Sequence, residues 1–193
     1  MGGLGEKARI ASRNPNKARE LERLLPGWSI APLEADDYPP EQGDTYYANA
    51  RAKADFGRTL AEADAWAMGE DSGIEVAGLA GGPGVRSARS GGNDPVAWIL
   101  AELAGLEGGA RRARYVSELV ALAPDGREIR GKGTLEGRIA EEARGSEGFG
   151  FDPVFVPDGE QQTVAELGNE WKAENSHRAN AVRAFREALG EPG

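Results

Sequence analysis

Residues 7–33 read KARIASRNPNKARELERLLPGWSIAPL, and this stretch decides the fold class. Lys7 to Ser12 alternates loosely and runs into the turn formers Asn14-Pro15-Asn16. That is the signature of a strand entering a loop. From Lys17 to Leu25, Leu21, Leu24 and Leu25 recur at helical spacing, and Pro26-Gly27 stops the run. Trp28 to Leu33 reads as a second strand. A strand, loop, helix and strand in that order open an α/β fold.

The same reading extends along the chain. Ala35 to Gly43 is acidic and Pro-rich, a loop, and Thr45 to Ala65 reads as a long helix with Asp44 as its cap. Trp66-Ala67-Met68 reads as a buried strand that leads into Gly69-Glu70-Asp71-Ser72-Gly73, acidic residues at a strand's end or a solvated turn. Gly78 to Gly92 is Gly-rich, and Asp94 caps a helix from Pro95 to Ala104. Tyr115–Ala123 and Arg127–Ile139, joined by Pro124-Asp125-Gly126, read as an antiparallel hairpin. Gly145 to Gly159 is rich in Gly and aromatics, and Asn175 to Leu189 is a closing helix with Ala181, Val182, Phe185 and Leu189 on one side. Parallel and antiparallel signals together predict a central mixed β-sheet flanked by helices, a single bilobed domain over residues 1–193.

Composition narrows the chemistry. The 193 residues include one His and no Cys. Disulfides, thiolate metal sites, a Cys nucleophile and a three-His metal site in one chain are excluded. A chain this long buries roughly 70% of its unfolded surface without such staples. Asp and Glu number 32 against 23 Lys and Arg, a net charge of −9. That balance opposes binding to a nucleic acid polymer, which needs clustered cations. No run approaches the ~18 apolar residues of a membrane span. Met1 to Lys7 lacks the apolar core and cleavage site of a signal peptide, so the expectation is a cytoplasmic protein.

Four constellations could carry chemistry. Ser12, Arg13, Asn14, Pro15, Asn16 and Lys17 stand at a strand end and helix start, where free N–H groups and the helix dipole favour phosphate. An Asn-capped helix after a Pro turn is the plainer alternative. Glu70-Asp71-Ser72-Gly73 offers hard oxygens for Mg²⁺ and a carboxylate to orient a water, or simply a solvated turn. Glu41, in the acidic loop, could supply a second metal carboxylate. Phe149, Gly150, Phe151 and Asp152 could stack and hydrogen-bond a purine, or form a bulge with two core Phe side chains. Lys172, His177 and Arg178, beside Ser176, make a donor cluster suited to the C6 oxygen of a keto-purine; adenine's amino group there would leave donors unpaired.

In order, S-x-N-x-x-K, G-D-T-Y-Y-A-N-A, E-D-S-G-I-E-V, G-G-P-G-V-R-S-A-R, G-F-G-F-D-P-V-F and K-x-x-x-x-H-R span residues 7 to about 189. This arrangement resembles the inosine triphosphate pyrophosphatase family, the non-standard purine NTP pyrophosphatases. The resemblance implies Mg²⁺-dependent hydrolysis of ITP, dITP and XTP to the monophosphate and pyrophosphate. It also implies two lobes with an active-site cleft between them and a homodimer. It assigns Ser12–Lys17 and Lys53 to the phosphates, and Glu41 and Asp71 to the metal, with Asp71 also base for the attacking water. Ser72 becomes a substrate contact and Arg89 a further phosphate contact; Phe149–Asp152 stacks the base, which Lys172, His177 and Arg178 read. The chain departs from the family pattern at Glu70, which replaces an Asp, at Arg13 and Asn16, where small residues are frequent, and at Ala48, which replaces an acid. A pyrophosphatase of pyrimidine or modified nucleotides and a non-catalytic nucleotide-binding module are the alternatives.

Overall fold

The structure is a computed structural model that describes residues 6–190. The signal-peptide reading of Met1–Lys7 falls almost wholly outside that range. A six-stranded mixed sheet runs in the order β2-β1-β3-β4-β5-β6. β1 (Lys7–Ile10) pairs in parallel with β2 (Ser29–Pro32) on one side and with β3 (Trp66–Val76) on the other. The connection from β1 to β2 is helix α1 (Pro15–Leu24), and that from β2 to β3 carries α2 (Tyr46–Leu60). These are the parallel, helix-linked units that residues 7–33 announce. α3 (Pro95–Glu102), capped by Asp94 as expected, precedes β4 (Arg112–Leu122) and β5 (Glu128–Ile139). These two strands form the expected hairpin, closed by the Ala123 N–H donating to Arg127 O at 2.8 Å. β6 (Phe155–Pro157) pairs antiparallel with β5 and is followed by α4 (Val164–Asn175) and α5 (His177–Leu189).

The chain gathers into two compact units. Of the described residues, unit one takes those up to Asp71, Ser117–Gly133 and those from Arg178 onward; unit two takes Ser72–Val116 and Thr134–His177. Unit one packs α1 and α5 around Trp28, Trp66, Met68, Leu119 and Phe185, with Trp28 edge-on to Phe185 at 5.8 Å. A second cluster in the same unit seats Ala50 and Ala54 of α2 against Ala67 and Val120. Unit two builds its own core from Ile74, Ile99, Leu103, Tyr115, Phe151, Val154 and Phe155. No helix among the described residues is long and apolar enough to cross a membrane.

Three expectations are corrected. α2 is capped by Thr45, whose Oγ1 accepts the Ala48 N–H at 3.1 Å, not by Asp44, and it stops at Leu60. Glu70-Asp71-Ser72-Gly73 is not a turn: β3 runs straight through it to Val76. Its turn-forming residues are overruled because a neighbouring strand and α2 bury both carboxylates. Finally, Lys172 lies in α4, a helix before Asn175 that the sequence reading leaves out. Its start is marked by a capping box: Thr163 Oγ1 accepts the Glu166 N–H at 3.3 Å, and Glu166 Oε2 accepts the Thr163 N–H at 2.8 Å. Thr163→Ala should lower stability by about 1 kcal/mol, read as a Tm drop of about 2–4 °C in thermal melts.

Candidate active site

Side chains alternate along a strand, so consecutive Glu70 and Asp71 face opposite sides of β3. Each meets its own set of cations, and both sets lie in unit one. On the α2 side, Asp71 Oδ1 accepts from Lys53 Nζ at 2.9 Å and Oδ2 from Asn49 Nδ2 at 3.1 Å. Asn49 and Lys53 are four residues apart, hence on one helix face. Lys53 Nζ also donates to Glu70 O at 3.1 Å and forms an ion pair with Glu41. The Glu41 loop is tied to the same helix through the Gly43 N–H, which donates to Asn49 Oδ1 at 2.8 Å. Burial raises the Asp71 pKa above the ordinary carboxylate value despite Lys53 and Asn49. Burial opposes the charge on Lys53, but Asp71 and Glu41 outweigh it and hold the Lys53 pKa above its usual value.

Gly69 makes this approach possible. A Cβ at Gly69 would stand 2.0 Å from Ala50 O and 2.6 Å from Ala54 N, both backbone atoms of α2. Gly69→Ala must therefore push α2 off β3 and part Lys53 from Asp71. A loss of at least about 1–3 kcal/mol is expected in chemical denaturation.

On the other face, Glu70 is completely buried. Oε2 lies 2.6 Å from Lys17 Nζ, while Oε1 accepts from Ser117 Oγ at 2.8 Å and from Arg178 Nη2 at 3.2 Å. Burial alone would protonate this carboxyl, but Arg178 and Lys17 hold its pKa well below the ordinary value. Arg178 is itself 1% exposed and pairs also with Glu20 of α1.

The Ser12–Lys17 segment leads into α1 and forms the capped helix start that its plainer reading expects. Ser12 Oγ accepts the Asn14 N–H at 3.1 Å and Asn14 Oδ1 accepts the Asn16 N–H at 2.9 Å, with Pro15 the first helical residue. The loop is thus a capped helix N-terminus, and Lys17 projects from it to Glu70. Arg13 places its guanidinium 5.4 Å from the centre of the Tyr38 ring. Ala48 is exposed in the first turn of α2.

Unit two holds the second group. Asp152 is 2% exposed. Its Oδ2 accepts from Lys172 Nζ and from the Phe149 N–H, each at 2.8 Å, and its Oδ1 accepts from Tyr115 Oη at 3.2 Å. Gly148, at φ 78°, permits the tight turn: a Cβ there would lie 2.2 Å from Asp152 Oδ2. Lys172 Nζ sits 4.0 Å from the centre of the half-buried Phe149 ring, a cation–π contact, whereas Phe151 points into the core and Gly150 is exposed. The plain alternative for this string holds for one of its two Phe residues. His177 stacks on Tyr115 at 4.5 Å with 12° between the planes. Ser72 is half-buried in β3. Arg89 is exposed at the end of a short 3₁₀ turn, Gly84–Arg89, that Ser87 pins to β3 by accepting the Ile74 N–H at 2.9 Å.

The structure therefore brings together Glu41, Lys53 and Asp71, and separately Lys17 with Glu70. It also joins Lys172 to Asp152 and Phe149. The Arg178 guanidinium pairs with Glu70 and Glu20. Sequence reasoning missed Asn49, Ser117, Glu20 and Tyr115. The first of these lies within the G-D-T-Y-Y-A-N-A motif, and its spacing of four from Lys53 was a usable signal.

Among the described residues no three His, Cys, Asp or Glu side chains gather as a metal cage. Two carboxylates, Glu41 and Asp71, do converge on one cationic point, the Lys53 ammonium. Mg²⁺ typically takes only one or two protein carboxylates, leaving its remaining positions to water and substrate phosphate. The donor set fits that ion.

Comparison with known proteins agrees with the sequence resemblance. A dITP/XTP pyrophosphatase of Thermus thermophilus is 42% identical over 193 aligned positions, covering 95% of this chain and 92% of that protein. A dITP/XTP pyrophosphatase of Symbiobacterium thermophilum is 43% identical, with 93% of each chain covered. The Ham1 protein of Staphylococcus aureus superposes with a TM-score of 0.81 at 31% identity, over 96% of this chain and 98% of that one. A HAM1 protein from Coxiella burnetii gives 0.82 at 30% identity, over 97% and 100%. The Ham1 family profile matches residues 8–188, and the chain belongs to the Ham1 family.

Proposed function

We propose that this protein hydrolyses the triphosphates of deaminated purines, dITP, ITP and XTP, to the monophosphate and pyrophosphate, with Mg²⁺. The observation that carries the reading is the meeting of Asp71 and Glu41 at the Lys53 ammonium, beside a strand whose other face carries Glu70 paired with Lys17. Two relatives named dITP/XTP pyrophosphatase support it across nearly the whole chain.

The triphosphate falls to Lys17, Lys53, Arg89 and the N–H groups at the start of α1. Glu41 and Asp71 would hold the metal, which when bound offsets phosphate charge and stabilises the charge that develops on hydrolysis. Asp71 accepts a proton from a water as its oxygen bonds to the α-phosphorus. The bond from that phosphorus to the bridging oxygen breaks, and pyrophosphate leaves with the electron pair. No covalent enzyme intermediate is needed. Lys53 keeps Asp71 ionised and oriented until the proton arrives. The purine falls to Phe149, Lys172 and His177, with Ser72 a further substrate contact. A donor aimed at a 6-oxo group meets another donor when the base is adenine, a mismatch worth about 5- to 150-fold per unpaired group. Arg178 belongs to the same base-reading proposal, and it pairs with Glu70 and Glu20. A homodimer, as the family resemblance implies, and a place in the cytoplasm complete the proposal.

Pyrophosphate release from a panel of nucleotides, with Mg²⁺ and after chelation, tests the reading. Release from dITP, ITP and XTP far above that from dATP, lost on chelation, is the expected result. Dominant turnover of dTTP or UTP would transfer the site to pyrimidines. Binding without release in the presence of Mg²⁺ would make the protein a nucleotide-binding module.

A further inference from the structure

Tyr115 of β4 touches both groups assigned to the base, by two different parts of its side chain. The phenol Oη donates to Asp152 Oδ1 at 3.2 Å, while the other oxygen of the same carboxylate takes Lys172 Nζ at 2.8 Å. The ring lies nearly parallel to the His177 imidazole, 4.5 Å away and 12° apart, and packs on Phe155 at 4.5 Å. Tyr115, Asp152, Lys172, His177 and Phe155 all belong to unit two. Tyr115 is 7% exposed and Asp152 2%, so water competes weakly for either contact.

We propose that Tyr115 is a positioning residue for base selection: its hydroxyl fixes the Asp152 carboxylate that aims Lys172, and its ring fixes the plane of His177. A carboxylate held at one oxygen cannot rotate, so the ammonium on its other oxygen has one place to stand. An imidazole donates only in its own plane, so a parallel neighbour sets the direction in which His177 can donate. Discrimination between a keto and an amino purine depends on donor direction, and one side chain governs it for two donors. This rests on the proposed keto-purine reading.

Two variants and two readouts test it. Tyr115→Phe keeps the ring and removes the hydroxyl; Tyr115→Leu removes both. The ratio of kcat/KM for dITP over dATP is expected to fall about 2- to 10-fold in Tyr115→Phe, and further in Tyr115→Leu. Thermal stability of Tyr115→Phe should change little by comparison. His177 is the sole histidine of the chain, so its imidazole gives one assignable NMR signal. That signal should be shifted by the aromatic ring in the wild-type protein and in Tyr115→Phe, and should move to its ordinary position in Tyr115→Leu. An unchanged dITP/dATP ratio in Tyr115→Phe overturns the proposal, whether or not Tyr115→Leu folds. A His177 signal unmoved in folded Tyr115→Leu overturns it equally. A wild-type protein with no preference for dITP over dATP would instead sink the functional reading, and the His177 signal would still report the stacking.

Discussion

Asp71→Asn is expected to lower pyrophosphate release from dITP by about 10²- to 10⁴-fold, the usual worth of a positioned general base. An amide of the same shape leaves the backbone of β3 alone. It cannot accept the water's proton, and it is a poorer ligand for a hard cation. The local cost is readable from the partners. Asp71 now accepts from Lys53 Nζ on one oxygen and from Asn49 Nδ2 on the other. An Asn has only one oxygen, and Asn49 cannot flip without losing the Gly43 N–H that its own Oδ1 accepts. One donor therefore faces another, a loss of about 1–2 kcal/mol. Burial of a carboxylate whose pKa is already raised is relieved at the same time. The variant should thus melt within a few degrees of the wild type, about 2–4 °C per kcal/mol, and still bind nucleotide. Steady-state release assays beside melts and binding isotherms check all three points. Activity within tenfold of the wild type would remove Asp71 from the chemistry.

Glu70→Leu is expected to act oppositely, on the fold first. Removing one partner of a buried ion pair strands the others, at a cost of about 3–5 kcal/mol. Here two cations are stranded: Arg178, 1% exposed, and Lys17, with Ser117 losing its acceptor as well. The Tm should fall by about 6–20 °C. Glu70→Asp should recover part of this, since a shorter arm can keep one cation but not span both. The same network sets a pH dependence. The folded pKa of Glu70 lies well below its ordinary 4.5, so its contribution is present above that value and fades as pH falls below it. Glu70→Gln should therefore lose less stability between neutral and strongly acidic pH than the wild type does. Equal acid sensitivity would show that Glu70 is not the group titrating.

The two carboxylates explain what a sequence can and cannot show. Asp71, Glu41 and Lys17 were singled out as charged residues in ordered motifs, and Lys53 by the family resemblance; the structure adds that Lys53 pairs with both Asp71 and Glu41. The parallel opening was legible because Leu21 and Leu24 follow a helical period between two strand-like runs. The course of β3 was not: E-D-S-G has the local preference of a turn, and only tertiary burial overrides it. Neither was α4, whose apolar residues lack a clean period although Thr163 and Glu166 mark its start. Asn49, Ser117 and Tyr115 are polar or aromatic residues of ordinary helices and strands; their importance comes from what lies opposite them 22, 47 and 37 residues away. Arg178 likewise draws its partners Glu70 and Glu20 from distant parts of the chain.

The threading of unit one also bears on how the protein is made. Its core needs Val182 and Phe185 of α5 to close over Trp28 and Trp66. During synthesis those residues leave the ribosome after the whole of unit two. For most of translation the nascent chain therefore carries Trp28 and Trp66 on an unfinished sheet face that only α1 covers. Such intermediates are prone to aggregate, and long-range closure of this kind is slow. Chaperone dependence should accordingly concentrate in unit one, and the emergence of α5 from the ribosome should be the event that ends it.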